Sequence, residues 1–128
     1  MALSENLPVY KVSYDLLLLI YRFSVNMERT YRFTLGERLQ DKTSDMLQYI
    51  SIANSVYDKT KYIQQARMFL MDIRLATRIA HDLRQITSKQ YLEVSDKIEN
   101  ISKQLTAWGK VVNNQKINEK EKKNDLFG

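Results

Sequence analysis

No cysteine occurs in the 128 residues, which excludes a disulfide framework and any thiolate metal site. The single histidine, His81, rules out a His-cluster zinc site and leaves little for general-base catalysis. One proline and three glycines are present, so few residues oppose helix formation. Gly36 and Gly109 stand alone, so there is no glycine-rich loop to cradle a phosphate. Long apolar runs are missing as well. The longest, Leu16 to Tyr21, is bounded by Asp15 and Arg22 and is far below the ~20 residues that cross a bilayer. No basic region followed by an apolar stretch opens the chain, so no signal peptide is expected and a soluble, cytoplasmic protein without a membrane partner is. The carboxylates are scattered and form no Glu-x-x-His pair of the kind di-metal bundles require. These absences point to a non-enzyme with no catalytic residues, no metal and no cofactor.

What the sequence does contain is helical periodicity. Pro8 follows Asn6-Leu7 at a first-turn position, and Val9, Val12, Leu16, Leu19 and Phe23 repeat at 3-4-3-4 spacing. Thr34-Leu35-Gly36-Glu37 has the form of a capping box opening a second helix. Its seam runs Leu39, Thr43, Met46, Ile50, Ala53 and Tyr57. Asp58 or Thr60 can cap a third helix, with a seam at Tyr62, Ala66, Phe69, Ile73, Ala76, Ala80 and Leu83. A second capping box, Thr87 to Gln90, precedes a fourth seam at Tyr91, Val94, Ile98, Ile101, Leu105, Trp108 and Val112. Phe69, Ile73, Ile98, Ile101 and Trp108 are expected to be largely buried. Four helices with short connectors predict an all-α, antiparallel up-down-up-down four-helix bundle over residues 1–113. Residues 114–128 turn to Asn, Lys, Glu and Gln and predict a polar, flexible C-terminal tail.

Two features exceed what one bundle needs. The first helix is apolar on a second side through Tyr10, Tyr14, Leu17, Leu18, Tyr21 and Val25. Either this is a broad core face with tyrosines at its margins, or Tyr10, Tyr14, Leu17, Leu18 and Tyr21 pack against another copy of the chain, giving a homo-oligomer. The second feature lies on the third helix. Counting ~100° per residue, Arg67, Arg74, Arg78 and His81 share a sector of roughly 60° away from the core seam. Residues 58–86 carry +3 of the net charge of +5, a field that favours nucleic acid or another acidic partner. Guanidinium forks suit phosphate oxygens, so Arg67, Arg74, Arg78 and Arg84 are candidate nucleic-acid contacts. Arg29 and Arg32 alternate with Tyr31 and Phe33 in the connector, a pattern that can grip a single strand by phosphate contact and stacking. With Arg38 they complete the candidate set. The arginines of the third helix could equally form a solvated face and those of the connector clamp the turn between the first two helices against the bundle, and the chain would then be a structural adaptor between proteins with no direct nucleic-acid role.

Several short segments, taken in order, resemble a known family. They are Leu7-Pro8-Val9-Tyr10, Tyr31-Arg32-Phe33-Thr34-Leu35-Gly36-Glu37-Arg38-Leu39, Ile73-Arg74-Leu75, Ile79-Ala80-His81-Asp82-Leu83, Ile86-Thr87-Ser88-Lys89-Gln90-Tyr91 and Trp108-Gly109-Lys110. Together, over roughly residues 7–112, they resemble the Avd family, the accessory variability determinants of diversity-generating retroelements. Thr106-Ala107 stand where many relatives carry Gly-Gly. The wider four-helix-bundle family, which includes proteins encoded in ribosomal RNA intervening sequences, looks similar through the Leu-Gly-Glu segment. The resemblance implies a small basic homopentamer that binds template RNA and cDNA. It further implies a reverse transcriptase partner, a role in mutagenic retrohoming, and a place in the bacterial cytoplasm, with a phage-borne element well suited to it.

Overall fold

The computed structural model describes residues 3–127, and among these every regular element is helical. Residues 1–2 and 128, the outer ends of the two segments expected from sequence, lie outside the described residues. A short 3-10 turn at Ser4–Asn6 leads into α1, Pro8–Ser24. Next comes one α-helical turn at Arg29–Tyr31, then a π-helical stretch at Arg32–Gly36 that runs into α2, Glu37–Ser55. The remaining helices are α3, Thr60–Asp82, and α4, Ser88–Phe127. The packed pairs are α1 with α2, α2 with α3, α3 with α4 and α4 with α1, so the helices enclose one core as a bundle. No helix of the described residues is long and apolar enough to cross a membrane.

The α1 core stripe is Val9, Ser13, Leu16, Ile20, Phe23 and, beyond the helix, Met27. Val12 and Leu19, expected on the seam, are half-buried flanks. The seam moves because small hydroxyls take core positions that a count of apolar residues passes over. Ser13 and Ser24 donate to the carbonyls of Val9 (2.7 Å) and Ile20 (2.6 Å). Thr43 and Thr77 do the same to Leu39 and Ile73, each at 2.7 Å. A buried hydroxyl with its donor satisfied carries little desolvation cost. Among the described residues no buried side-chain nitrogen or oxygen lacks a partner.

On α3 the buried stripe is Ile63, Ala66, Leu70, Ile73, Ala76, Thr77 and Ala80. Ala66, Ile73, Ala76 and Ala80 sit where the spacing predicts, but Leu83 is exposed and Tyr62 and Phe69 are half-buried. Phe69 instead packs at the α2–α3 margin, its ring 5.4 Å from that of Tyr49 and 5.5 Å from the Lys42 ammonium. The α2 seam holds from Leu39 to Ala53, whereas Tyr57 lies past the end of the helix and is 84% exposed. On α4, Val94, Ile98, Ile101, Leu105 and Val112 are buried and Tyr91 and Trp108 half-buried.

Helix ends follow local chemistry. The Thr87–Gln90 capping box closes in both directions: the Thr87 N–H donates to Gln90 Oε1 (2.9 Å) and the Gln90 N–H to Thr87 Oγ1 (3.1 Å). The Thr34–Glu37 box does not form. Helical backbone has already begun at Arg29, so Thr34 is inside a helix and donates to the Thr30 carbonyl at 2.8 Å. The expected cap of α3 is weak, the Thr60 N–H meeting Asp58 Oδ1 at 3.4 Å. The intervening Lys59 serves the helix before it, its ammonium donating to the carbonyls of Ala53 (2.8 Å) and Val56 (2.7 Å). A cation there satisfies otherwise orphaned carbonyls and opposes the helix dipole.

At its far end α3 closes in a Schellman arrangement, with the Gln85 N–H donating to Ala80 O (2.8 Å) and the Arg84 N–H to His81 O (3.0 Å). This places Arg84 at φ 59°, in the left-handed region, where a β-carbon is crowded and glycine is preferred. Arg84→Gly is therefore expected to raise stability by up to ~1 kcal/mol, read as a higher urea midpoint at unchanged m.

α4 runs 40 residues, about 60 Å at 1.5 Å per residue. Residues 114–127, read from sequence as a flexible tail, continue this helix past the α2–α3 turn. Two contacts tie its first part down: the Lys116 ammonium to Asp58 at 2.7 Å and the Tyr57 hydroxyl to Glu119 Oε1 at 2.6 Å. These partners lie about 60 residues apart in sequence, too far for local pattern to reveal.

Candidate nucleic-acid interface

The tertiary structure sorts the seven candidate arginines into separate places. Arg67, Arg74 and Arg78 line one wall of the groove between α3 and α4. In the part nearer the α2–α3 turn, a hollow of about 250 Å³ is bounded by Arg67 and Lys110 with Gln64, Thr106 and Asn113. Among the described residues no ion pair engages Arg67 or Lys110. Further along, a larger hollow of about 520 Å³ is bounded by Arg74 and Arg78 together with Met71, Leu75 and Tyr91.

Carboxylates approach the second part. Arg74 pairs with Glu99 of α4, and Arg78 with Asp82 one turn on, at 3.3 Å. The Arg74 guanidinium holds the Glu99 carboxyl below its usual range. All four of these side chains are at least half exposed, and exposed pairs contribute only ~0–1 kcal/mol. A polyanion can therefore compete for both guanidiniums. His81 closes this end of the groove, its ring stacked on Tyr91 at 4.4 Å and its Nε2 3.4 Å from Ser88 Oγ.

Arg38 lies on the other flank of α3, paired with Asp72, so it is not brought into the groove. Arg29, Arg32 and Arg84 share one end of the bundle, because the Glu28 N–H of the connector donates to Gln85 Oε1 of the α3–α4 turn at 2.8 Å. There Arg32 donates to the Met27 carbonyl at 3.3 Å. Tyr31 is half-buried and Phe33 exposed, so the connector divides its aromatics between core and solvent.

The expected self-association face is likewise divided. Tyr14 and Tyr21 are 47% and 51% exposed, while Tyr10, Leu17 and Leu18 are half-buried. Lys110 escaped the sequence reading because it belongs to a different helix from the arginine row. Met71 and Leu75 escaped it too as site residues, although their places off the α3 seam could have marked them as outward-facing.

A family model for bAvd-like proteins matches residues 8–112. The chain belongs to the bAvd-like family. The match covers α1 to α3 and α4 as far as Val112, so it contains the whole arginine wall and ends at the last buried apolar residue of α4. No curated protein matches the chain at significant similarity. The groove combines a basic row on α3, a lysine on α4 and, in its larger hollow, the exposed apolar side chains of Met71 and Leu75.

Proposed function

We propose that this bAvd-like protein is a non-enzymatic accessory factor of a diversity-generating retroelement. In this reading it binds template RNA and cDNA, partners the element's reverse transcriptase in the bacterial cytoplasm, and supports mutagenic retrohoming. The observation that carries the nucleic-acid part is the row Arg67, Arg74 and Arg78 on one wall of the α3–α4 groove, with Lys110 facing it. Family membership supports the retroelement setting. The bundle is read as antiparallel, up-down-up-down. Support comes from Arg38, at the start of α2, meeting Asp72 in the second half of α3, and from His81, at the end of α3, meeting Tyr91 at the start of α4. The working unit is read as a homopentamer assembled through the α1 face, which leaves Tyr14, Tyr21 and Val25 exposed on the single chain. Repetition would present several arginine rows to one polyanion and raise avidity.

The experiment is RNA binding over a salt series for the parent and for a folded, assembled Arg67→Glu/Arg74→Glu/Arg78→Glu variant. Each lost phosphate contact lowers the log–log salt slope by ~0.7 for a single strand, so a fall of about 2 is expected from three such losses. The ion pairs Arg74–Glu99 and Arg78–Asp82 favour a second reading, a protein adaptor whose arginines serve solubility. Equal RNA binding by parent and variant would establish that reading instead.

A further inference from the structure

The larger hollow of the α3–α4 groove is lined by exposed apolar side chains that a purely phosphate-binding surface does not call for. Met71 is 70% and Leu75 54% exposed, and they share the larger hollow with Tyr91, Arg74 and Arg78. The core stripe of α3 lies elsewhere on the helix, so the bundle itself does not call for apolar side chains here. A duplex keeps its base faces inside the stack and offers proteins its phosphates, sugars and base edges. An unpaired segment offers flat apolar faces as well as phosphates, and binders of single strands combine a basic track with platforms for those faces. The groove has both parts. The Tyr91 ring is braced by His81 at 4.4 Å, and the thioether of Met71 is a soft, adaptable neighbour for an aromatic ring.

We infer that the α3–α4 groove takes an unpaired nucleotide segment, with a base seated on Met71, Leu75 and Tyr91 and phosphates held by Arg74, Arg78, Arg67 and Lys110. This rests on the nucleic-acid reading above and narrows it to single strands. Along α3 the guanidiniums rise by ~10.5 Å from Arg67 to Arg74 and ~6 Å from Arg74 to Arg78, so one strand lying in the groove meets several of them. A polyanion that also carries flat apolar faces suits a wall that sets Arg74 and Arg78 beside Met71, Leu75 and Tyr91 better than an acidic peptide does. The Glu99 and Asp82 carboxylates are displaced at little cost, and the guanidinium retains donors for a phosphate.

The test measures fluorescence anisotropy of a labelled oligouridine and of a blunt RNA duplex of the same length, each over a salt series. The parent is expected to bind oligouridine about 10-fold or more tighter than the duplex. Met71→Ala/Leu75→Ala should weaken oligouridine binding about 10-fold while leaving the salt slope and duplex binding unchanged. Both side chains are exposed, so this variant keeps the fold, checked by circular dichroism and melting temperature. Arg67→Gln should instead lower the oligouridine salt slope by ~0.7. Photocrosslinking of a thiouridine-bearing strand should map to Met71 or Tyr91. If duplex and single strand bind equally, or the double alanine variant binds oligouridine as the parent does, the larger hollow is not a base site. The wider nucleic-acid reading then stands if Arg67→Gln still lowers the slope. If the parent binds neither probe, both readings fall. If polyglutamate binds as tightly as oligouridine and is weakened by the same alanines, the groove belongs to an acidic protein and the inference is overturned.

Discussion

Ile101→Ala is expected to destabilise the protein by about 2–5 kcal/mol. Ile101 is fully buried and shares one core cluster with Ile73, Ile98 and Leu105. The substitution removes the transfer free energy of the lost carbons and leaves a cavity that packed helices refill only in part. The check is urea unfolding at fixed protein concentration, where the midpoint should fall at unchanged m. Concentration matters because assembly would add to apparent stability. Truncating Phe69 or Trp108, each half-buried, should cost less than their size implies, since part of each side chain already meets water. An unchanged midpoint for Ile101→Ala would mean that the α4 register is wrong.

Leu18→Asp is expected to dissociate the proposed oligomer without unfolding the chain. Counting ~100° per residue puts Leu18 on the side of α1 opposite Leu16 and Ile20, both of which are fully buried. Tyr14, Tyr21 and Val25 lie along the same side and are exposed, so an apolar strip runs down α1 beside the exposed Lys11, Asp15 and Arg22. Burying a carboxylate among apolar side chains costs several kcal/mol, offset only in part by Arg22 one turn on, and this is enough to separate subunits held by such faces. Light scattering should give the parent about five times the 15.2 kDa chain mass and the variant the mass of one chain, with matching circular dichroism. A parent that scatters as a single chain at micromolar concentration would remove the oligomer, and the α1 face would then await another partner.

Local pattern made much of the fold legible. The α2 seam from Leu39 to Ala53 and the α4 seam from Val94 to Leu105 are buried as their spacing predicts, because a 3.6-residue period leaves one stripe to face the core. The Thr87–Gln90 box was readable for the same reason, both of its bonds being made within one turn. Errors came where chemistry departed from hydropathy. Ser13, Ser24 and Thr77 are buried because each hydroxyl is satisfied by a carbonyl one turn back, so an apolar count misplaced the α1 and α3 stripes. Thr34 carries a capping signature, yet the helix starts before it.

The candidate site was only half legible. That Arg67, Arg74 and Arg78 align follows from their spacing on one helix. What each of them meets does not. Arg38 taking Asp72, Glu99 reaching Arg74, and Lys110 standing across from Arg67 all depend on which helices pack together and at what height.

By itself the sequence determined the all-helical class, the membership in a bAvd-like family, the residues that make most of the core and the arginine row, since each is written in local periodicity or ordered motifs. Only the tertiary structure decided the groove that joins that row to Met71, Leu75 and Tyr91, the left-handed turn at Arg84, and the continuation of α4 braced by Tyr57 and Asp58. The groove and the brace arise from residues remote in the chain, brought together by burial of an apolar core whose free energy has no direction of its own. The turn at Arg84 is closed by the backbone bonds from Gln85 to Ala80 and from Arg84 to His81, which end α3 before the chain enters α4.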